Sequence, residues 1–130
     1  MADLDINCVL LLEDEPFIAI DLEDTLLSAG VQRVVTMDTI ALAGAWLDMD
    51  TPDLAIVDPR LRDGFCTQVV KELIERKVPF ILYSGDPEAT IAVEPAFRAG
   101  RWLSKPCQPD ALIAMASESI ADARRSATVR

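Results

Sequence analysis

The sequence contains no histidine. An imidazole base, nucleophile or metal ligand of the chain's own is therefore excluded. Basic residues are also scarce: 12 Lys and Arg stand against 22 Asp and Glu, for a formal charge of −10. Nucleic-acid binding draws on phosphate neutralisation by Lys and Arg, so that class is set aside, and anionic membrane surfaces are disfavoured for the same reason. No apolar run approaches the roughly 20 residues needed to span a bilayer. The start, Met1-Ala2-Asp3-Leu4-Asp5, lacks the positive stretch of a secretory signal. Cysteines number three, Cys8, Cys66 and Cys107, far apart and without metal-type spacing. That is the pattern of reduced thiols in a cytosolic chain, and a cytoplasmic location is expected.

What is present is a core and a set of carboxylates at its edge. Apolar residues make up 51% of 130 positions, ample for one domain. Two apolar runs, Val9-Leu10-Leu11-Leu12 and Leu54-Ala55-Ile56-Val57, are followed at once by acids: Glu13-Asp14-Glu15 and Asp58. Both groups fall where a buried strand emerges. Neighbouring strands lie about 4.8 Å apart, so carboxylates at adjacent strand ends repel and raise each other's pKa unless a cation joins them. The simplest reading is a divalent metal site, with Glu15 a solvated helix start.

The chain alternates strand and helix five times. Strands are expected at 6–12, 31–37, 54–58, 80–84 and 101–104. After the first, Pro16 opens a helix in which Ile18, Leu22, Leu26 and Ala29 share a face until Gly30 stops it. Asp38 is placed to cap the second helix, with Leu42, Ala45, Trp46 and Met49 inward. The third turns Val69, Val70, Leu73 and Ile74 inward after a loop at 59–64. Pro95 interrupts the fourth, and Pro109 starts the last, with Leu112, Ile113, Ala116 and Ile120 inward. A domain over residues 1–124 and a short, frayed basic tail at 125–130 are expected. Five such units predict a doubly wound, flavodoxin-like (βα)5 fold with a parallel sheet in the order 2-1-3-4-5. That order puts the ligand crevice at the carboxyl ends of the first and third strands, where Glu13, Asp14 and Asp58 lie.

Over nearly its whole length the chain resembles the receiver domains of two-component response regulators. The resemblance rests on Leu11-Leu12-Glu13-Asp14-Glu15-Pro16, Ile56-Val57-Asp58, Asp63-Gly64, Leu82-Tyr83-Ser84-Gly85 and Leu103-Ser104-Lys105-Pro106, in order and at strand ends. It implies phosphoryl transfer from a histidine kinase or histidine phosphotransfer protein onto Asp58. It further implies Mg²⁺ held by Glu13, Asp14, Asp58 and the Arg60 carbonyl, with catalytic roles for Lys105 and Ser84. Ser84 and Trp102 would form the conformational switch, and Pro106 would be the family's cis proline. A downstream protein would bind the face made by the fourth helix, fifth strand and fifth helix. The chemistry of the residues agrees: Mg²⁺ takes one or two carboxylates plus waters and phosphate oxygens, and a carboxylate can act as nucleophile. Two unit charges about 4 Å apart attract by roughly 4 kcal/mol at an effective dielectric near 20, enough for Lys105 to hold a phosphoryl group.

Two features depart from the common pattern. Serine stands at the switch position, keeping the hydroxyl without the methyl of threonine. Arg60 and Asp86 have opposite charges and are expected to pair across the crevice mouth, slowing loss of the phosphoryl group. With no output domain after the fifth helix, a stand-alone receiver is expected, acting on partners or as a phosphate sink. It is not expected to be an enzyme beyond its own phosphorylation and dephosphorylation. The alternative is a non-phosphorylated interaction module of the same fold, which would be expected to lose acidic or lysine positions that this chain keeps.

Overall fold

The computed structural model describes residues 4–128. Its centre is a five-stranded sheet of β1 (Cys8–Leu12), β2 (Arg33–Met37), β3 (Leu54–Val57), β6 (Phe80–Ser84) and β7 (Arg101–Ser104). The order is β2-β1-β3-β6-β7 and every pair is parallel, so the predicted topology holds. Parallel strands require crossovers, and the helices supply them: α1 (Pro16–Ser28), α2 (Ile40–Leu47), α3 (Thr67–Glu75), α4 (Pro87–Val93) and α5 (Pro109–Thr128). All five residues of β1 and all four of β3 are buried, as a sheet covered on both faces demands. Strand alternation divides the core in two. Leu10, Leu12, Ala55, Val57 and Leu82 pack with α2 and α3, whereas Leu11, Ile56, Ile81 and Tyr83 pack with α1 and α5. Each fully buried leucine contributes about 1.5–3 kcal/mol relative to exposure.

Local chemistry sets the element ends. Pro16 takes the first turn of α1, and the Glu15 carboxylate accepts the Phe17 N–H at the helix start. Gly30 follows the helix at φ 106, a left-handed conformation that glycine adopts at little cost. Pro95 breaks the fourth helical segment, as expected: α4 stops at Val93 and a 3-10 helix, Pro95–Ala99, follows. No helix among the described residues is long and apolar enough to cross a membrane.

Several expectations need correcting. Thr39, not Asp38, caps α2 through the Leu42 N–H, and Asp38 pairs with Arg62 instead. The buried face of α2 is Ala43 and Leu47, with Ile40 and Trp46 partly covered, while Leu42, Ala45 and Met49 are exposed. Ile74 in α3 is also exposed. The expected loop at 59–64 begins a small antiparallel hairpin, β4 (Arg60–Leu61) and β5 (Gly64–Phe65). Asp63 at its turn ties it to α2, accepting the Ile40 and Ala41 N–H groups. The chain stays helical through Thr128, past the expected start of a frayed tail. Val129 and Arg130 lie outside the described residues.

Candidate functional site

The sheet register brings the site together. Leu12 pairs with Val57, so the residues that follow, Glu13 and Asp58, emerge side by side. Ser84 pairs with Ser104, which sets Lys105 one step beyond the end of β7. Backbone bonds extend this edge: Asp58 N–H donates to the Leu12 carbonyl at 2.9 Å and Lys105 N–H to the Ser84 carbonyl at 2.8 Å. The Lys105–Pro106 peptide is cis.

From that frame the Lys105 ammonium reaches back across the crevice. It donates to Glu13 Oε1 at 2.9 Å and to Asp58 Oδ2 at 3.0 Å. Carboxylate oxygens of Glu13, Asp14 and Asp58 all lie within 4.8 Å of one another. Glu13 is 2% exposed, and its other oxygen accepts the Glu15 N–H at 3.1 Å. Asp58 Oδ1 accepts the Arg60 N–H, also at 3.1 Å. Burial pushes the Glu13 carboxyl above its ordinary value, against the opposing pull of Lys105 and the Glu15 N–H. Burial pulls Lys105 down, but its bonds to Glu13 and Asp58 outweigh that, and the ammonium sits above its ordinary value.

Other residues named from the sequence are arranged around this cluster. Ser84 is nearly buried and its hydroxyl accepts the Asp86 N–H at 3.1 Å. Trp102, on the edge strand opposite Leu82, is 41% exposed. Arg60 and Asp86 do not pair. The Arg60 guanidinium lies 5.3 Å from the centroid of the Phe65 ring, brought there by the hairpin, and Asp86 caps α4 through the Ala89 N–H.

Two neighbours escaped the sequence reading. Cys66 donates its thiol to the Asp58 carbonyl at 3.3 Å, and burial, reinforced by the charges of Asp58, Asp63 and Asp14, pushes it up to about 12. Tyr83 presents its ring to Lys105, with the ammonium 5.3 Å from the ring centroid. Strand alternation puts Tyr83 on the opposite face from Ser84; the reach of Lys105 across β6 is a tertiary fact that spacing does not carry.

The donor set suits a hard divalent cation. Three carboxylates meet one ammonium, which leaves two negative charges uncompensated. All the side-chain donors are oxygens, as Mg²⁺ or Ca²⁺ prefers.

An open parallel α/β sheet with acids and a lysine at its carboxyl edge defines a class of domain built to bind charge at a topological switch point. The sequence profile of the response regulator receiver domain matches residues 9–117, and the chain belongs to that family. No curated protein matches the chain. Among solved structures it is similar to SdrG from Sphingomonas melonis Fr1, at 34% identity over 89% of this chain and 97% of that one, with a TM-score of 0.70. The receiver domain of sensor histidine kinase PA1611 from Pseudomonas aeruginosa PAO1, solved with a magnesium ion coordinated in its active-site cleft, is 23% identical; the match covers 88% of this chain and 98% of that one, at TM-score 0.77. The signal receiver domain of a signal transduction histidine kinase from Syntrophus aciditrophicus shares 21% identity over 95% and 97% of the two chains, at TM-score 0.80.

Proposed function

We propose that this receiver domain takes a phosphoryl group onto Asp58 from a phosphohistidine carried by a kinase or phosphotransfer protein. The observation that carries the reading is the Lys105 ammonium bridging Glu13 and Asp58 beside the Asp14 carboxylate. A carboxylate oxygen of Asp58 attacks phosphorus, the donor's P–N bond breaks, and the imidazole leaves with that electron pair. The chain has no histidine, so the imidazole belongs to another molecule. Lys105 is positioned to pair with phosphoryl oxygens as Asp58 gives up its negative charge to the new bond. Such transfers depend mainly on positioning and charge stabilisation, and the Arg60 N–H on Asp58 Oδ1 fixes the carboxylate's orientation.

Glu13, Asp14, Asp58 and the Arg60 carbonyl would hold Mg²⁺, which when bound neutralises the carboxylates and the incoming phosphate; the magnesium-bearing receiver of Pseudomonas aeruginosa supports that assignment. Ser84 is the switch hydroxyl, able to leave the Asp86 N–H for a phosphoryl oxygen. A downstream protein would read the change on the face of α4, β7 with its Trp102, and α5, a population shift driven by the differential contacts of the two states. Catalysis is confined to the domain's own phosphorylation and dephosphorylation, and the cytoplasm is its expected location. The test is incubation with acetyl phosphate with and without Mg²⁺, read by intact mass. A single phosphoryl adduct that requires Mg²⁺ is expected; none under either condition refutes the proposal.

A further inference from the structure

Lys105 has three close partners, and two of them are reagents. Its ammonium bonds Glu13 Oε1 and Asp58 Oδ2, and it lies 5.3 Å from the centroid of the Tyr83 ring. On the reading proposed above, Glu13 turns to a cation and Asp58 to phosphorus, so both anionic partners are committed elsewhere during transfer. The ring is the contact that neither consumes. We infer that Tyr83 is a positioning residue for Lys105, its π face steadying the ammonium over the crevice once the carboxylates are engaged. The inference rests on the receiver chemistry of the preceding section.

The setting of the ring favours this role. Tyr83 is 5% exposed. It packs in the cluster that contains Ile81, Leu112 and Ala116, with Leu103 and Cys107 against that cluster. A ring so enclosed has few rotamers, so it presents a fixed face. Lys105 is the opposite: four flexible bonds carry its charge, and its side chain is only 20% exposed. Attraction between an ammonium and an aromatic quadrupole strengthens as water is excluded. In the metal-free protein the carboxylates already hold Lys105, and the ring adds little. With the carboxylates occupied, the ring's share grows, so it acts more on the transition state than on the resting state. A tyrosine present only to fill the core would be replaceable by any apolar side chain of similar volume.

Wild type, Tyr83→Phe, Tyr83→Met and Tyr83→Leu are compared in two measurements. One is the rate of adduct formation with acetyl phosphate at saturating Mg²⁺. The other is the NMR shift of the Lys105 ε-methylene protons, which an aromatic face moves upfield, in the Mg²⁺-loaded and beryllofluoride-bound protein. Wild type and Tyr83→Phe should agree within about twofold in rate and both keep the upfield shift. Tyr83→Met and Tyr83→Leu should react roughly five- to thirtyfold more slowly. Loss of the upfield shift in Mg²⁺-loaded wild type, or a Met variant as fast as wild type, overturns the inference. Should the Leu variant not fold, the Met variant and the wild-type shift still decide. Failure of wild type to take a phosphoryl group would count against the proposed function instead, and the shift would remain to report whether the ring holds the ammonium.

Discussion

Asp14 is the carboxylate of the cluster that has no cation partner among the described residues, since Lys105 bonds Glu13 and Asp58. Its removal should therefore stabilise the metal-free protein. Its oxygen lies within 4.8 Å of oxygens on both neighbours. At that separation each like-charge pair costs about 3.5 kcal/mol at an effective dielectric near 20. Asp14 is partly solvated, and screening by water and salt reduces the pair of terms to about 1–2 kcal/mol. For a domain of this size that is a rise of roughly 3–8 °C in Tm for Asp14→Asn in chelator. Mg²⁺ reverses the comparison. A cation at ten times its Kd adds about 1.4 kcal/mol to the protein that binds it, so wild type should gain roughly 5 °C while Asp14→Asn gains little. Thermal melts by circular dichroism, with chelator and across a Mg²⁺ series, read both effects. The reasoning is refuted if the variant melts below wild type in chelator, or if Mg²⁺ raises both melts equally.

Other outcomes follow from the same structure. Because burial raises Glu13 above its ordinary 4.5, the folded state holds that proton more tightly than the unfolded chain. Its stabilising contribution is full below pH 4.5 and falls away as pH rises through the raised value. Glu13→Gln should thus gain on wild type in metal-free urea unfolding as pH climbs above 4.5; a constant difference would contradict the assigned cause. Cys8 and Cys66 are buried and Cys107 is half-buried, so iodoacetamide should label Cys107 alone in the native protein and all three in denaturant, as peptide mass spectrometry would show. A Cβ on Gly100 would lie 2.6 Å from the Phe80 carbonyl oxygen, although φ there is an ordinary −98°. Gly100→Ala should therefore cost about 2–3 kcal/mol through overpacking, measured by chemical denaturation.

The strands and the clustering of Glu13, Asp14 and Asp58 were legible because their signals are local. Val9–Leu12 and Leu54–Val57 are continuous apolar runs ending in acids, and a parallel sheet leaves such ends side by side. The α2 face was not legible, for a physical reason: Ile40–Leu47 carries no charged residue, so the helix offers no polar side to point outward. The choice between Asp38 and Thr39 as its cap was also open, since both types accept N–H bonds well, and the ion pair with Arg62 took Asp38 away. Arg60 and Asp86 illustrate a different limit. Opposite charge predicts attraction, but the hairpin that sends Arg60 over Phe65 rests on two-residue strands with no alternation to read, and Asp86 finds an N–H three residues away. The Tyr83–Lys105 contact joins residues at different strand ends, a juxtaposition that only the assembled sheet creates.

The central claim is that one carboxylate of this cluster is the acceptor and the others serve it. Borohydride reduction after treatment with acetyl phosphate and Mg²⁺ converts an aspartyl phosphate to homoserine, which peptide sequencing by mass spectrometry locates. The account predicts homoserine at position 58 and nowhere else. Homoserine at position 14, or a phosphorylated protein with Asp58 intact, would contradict it.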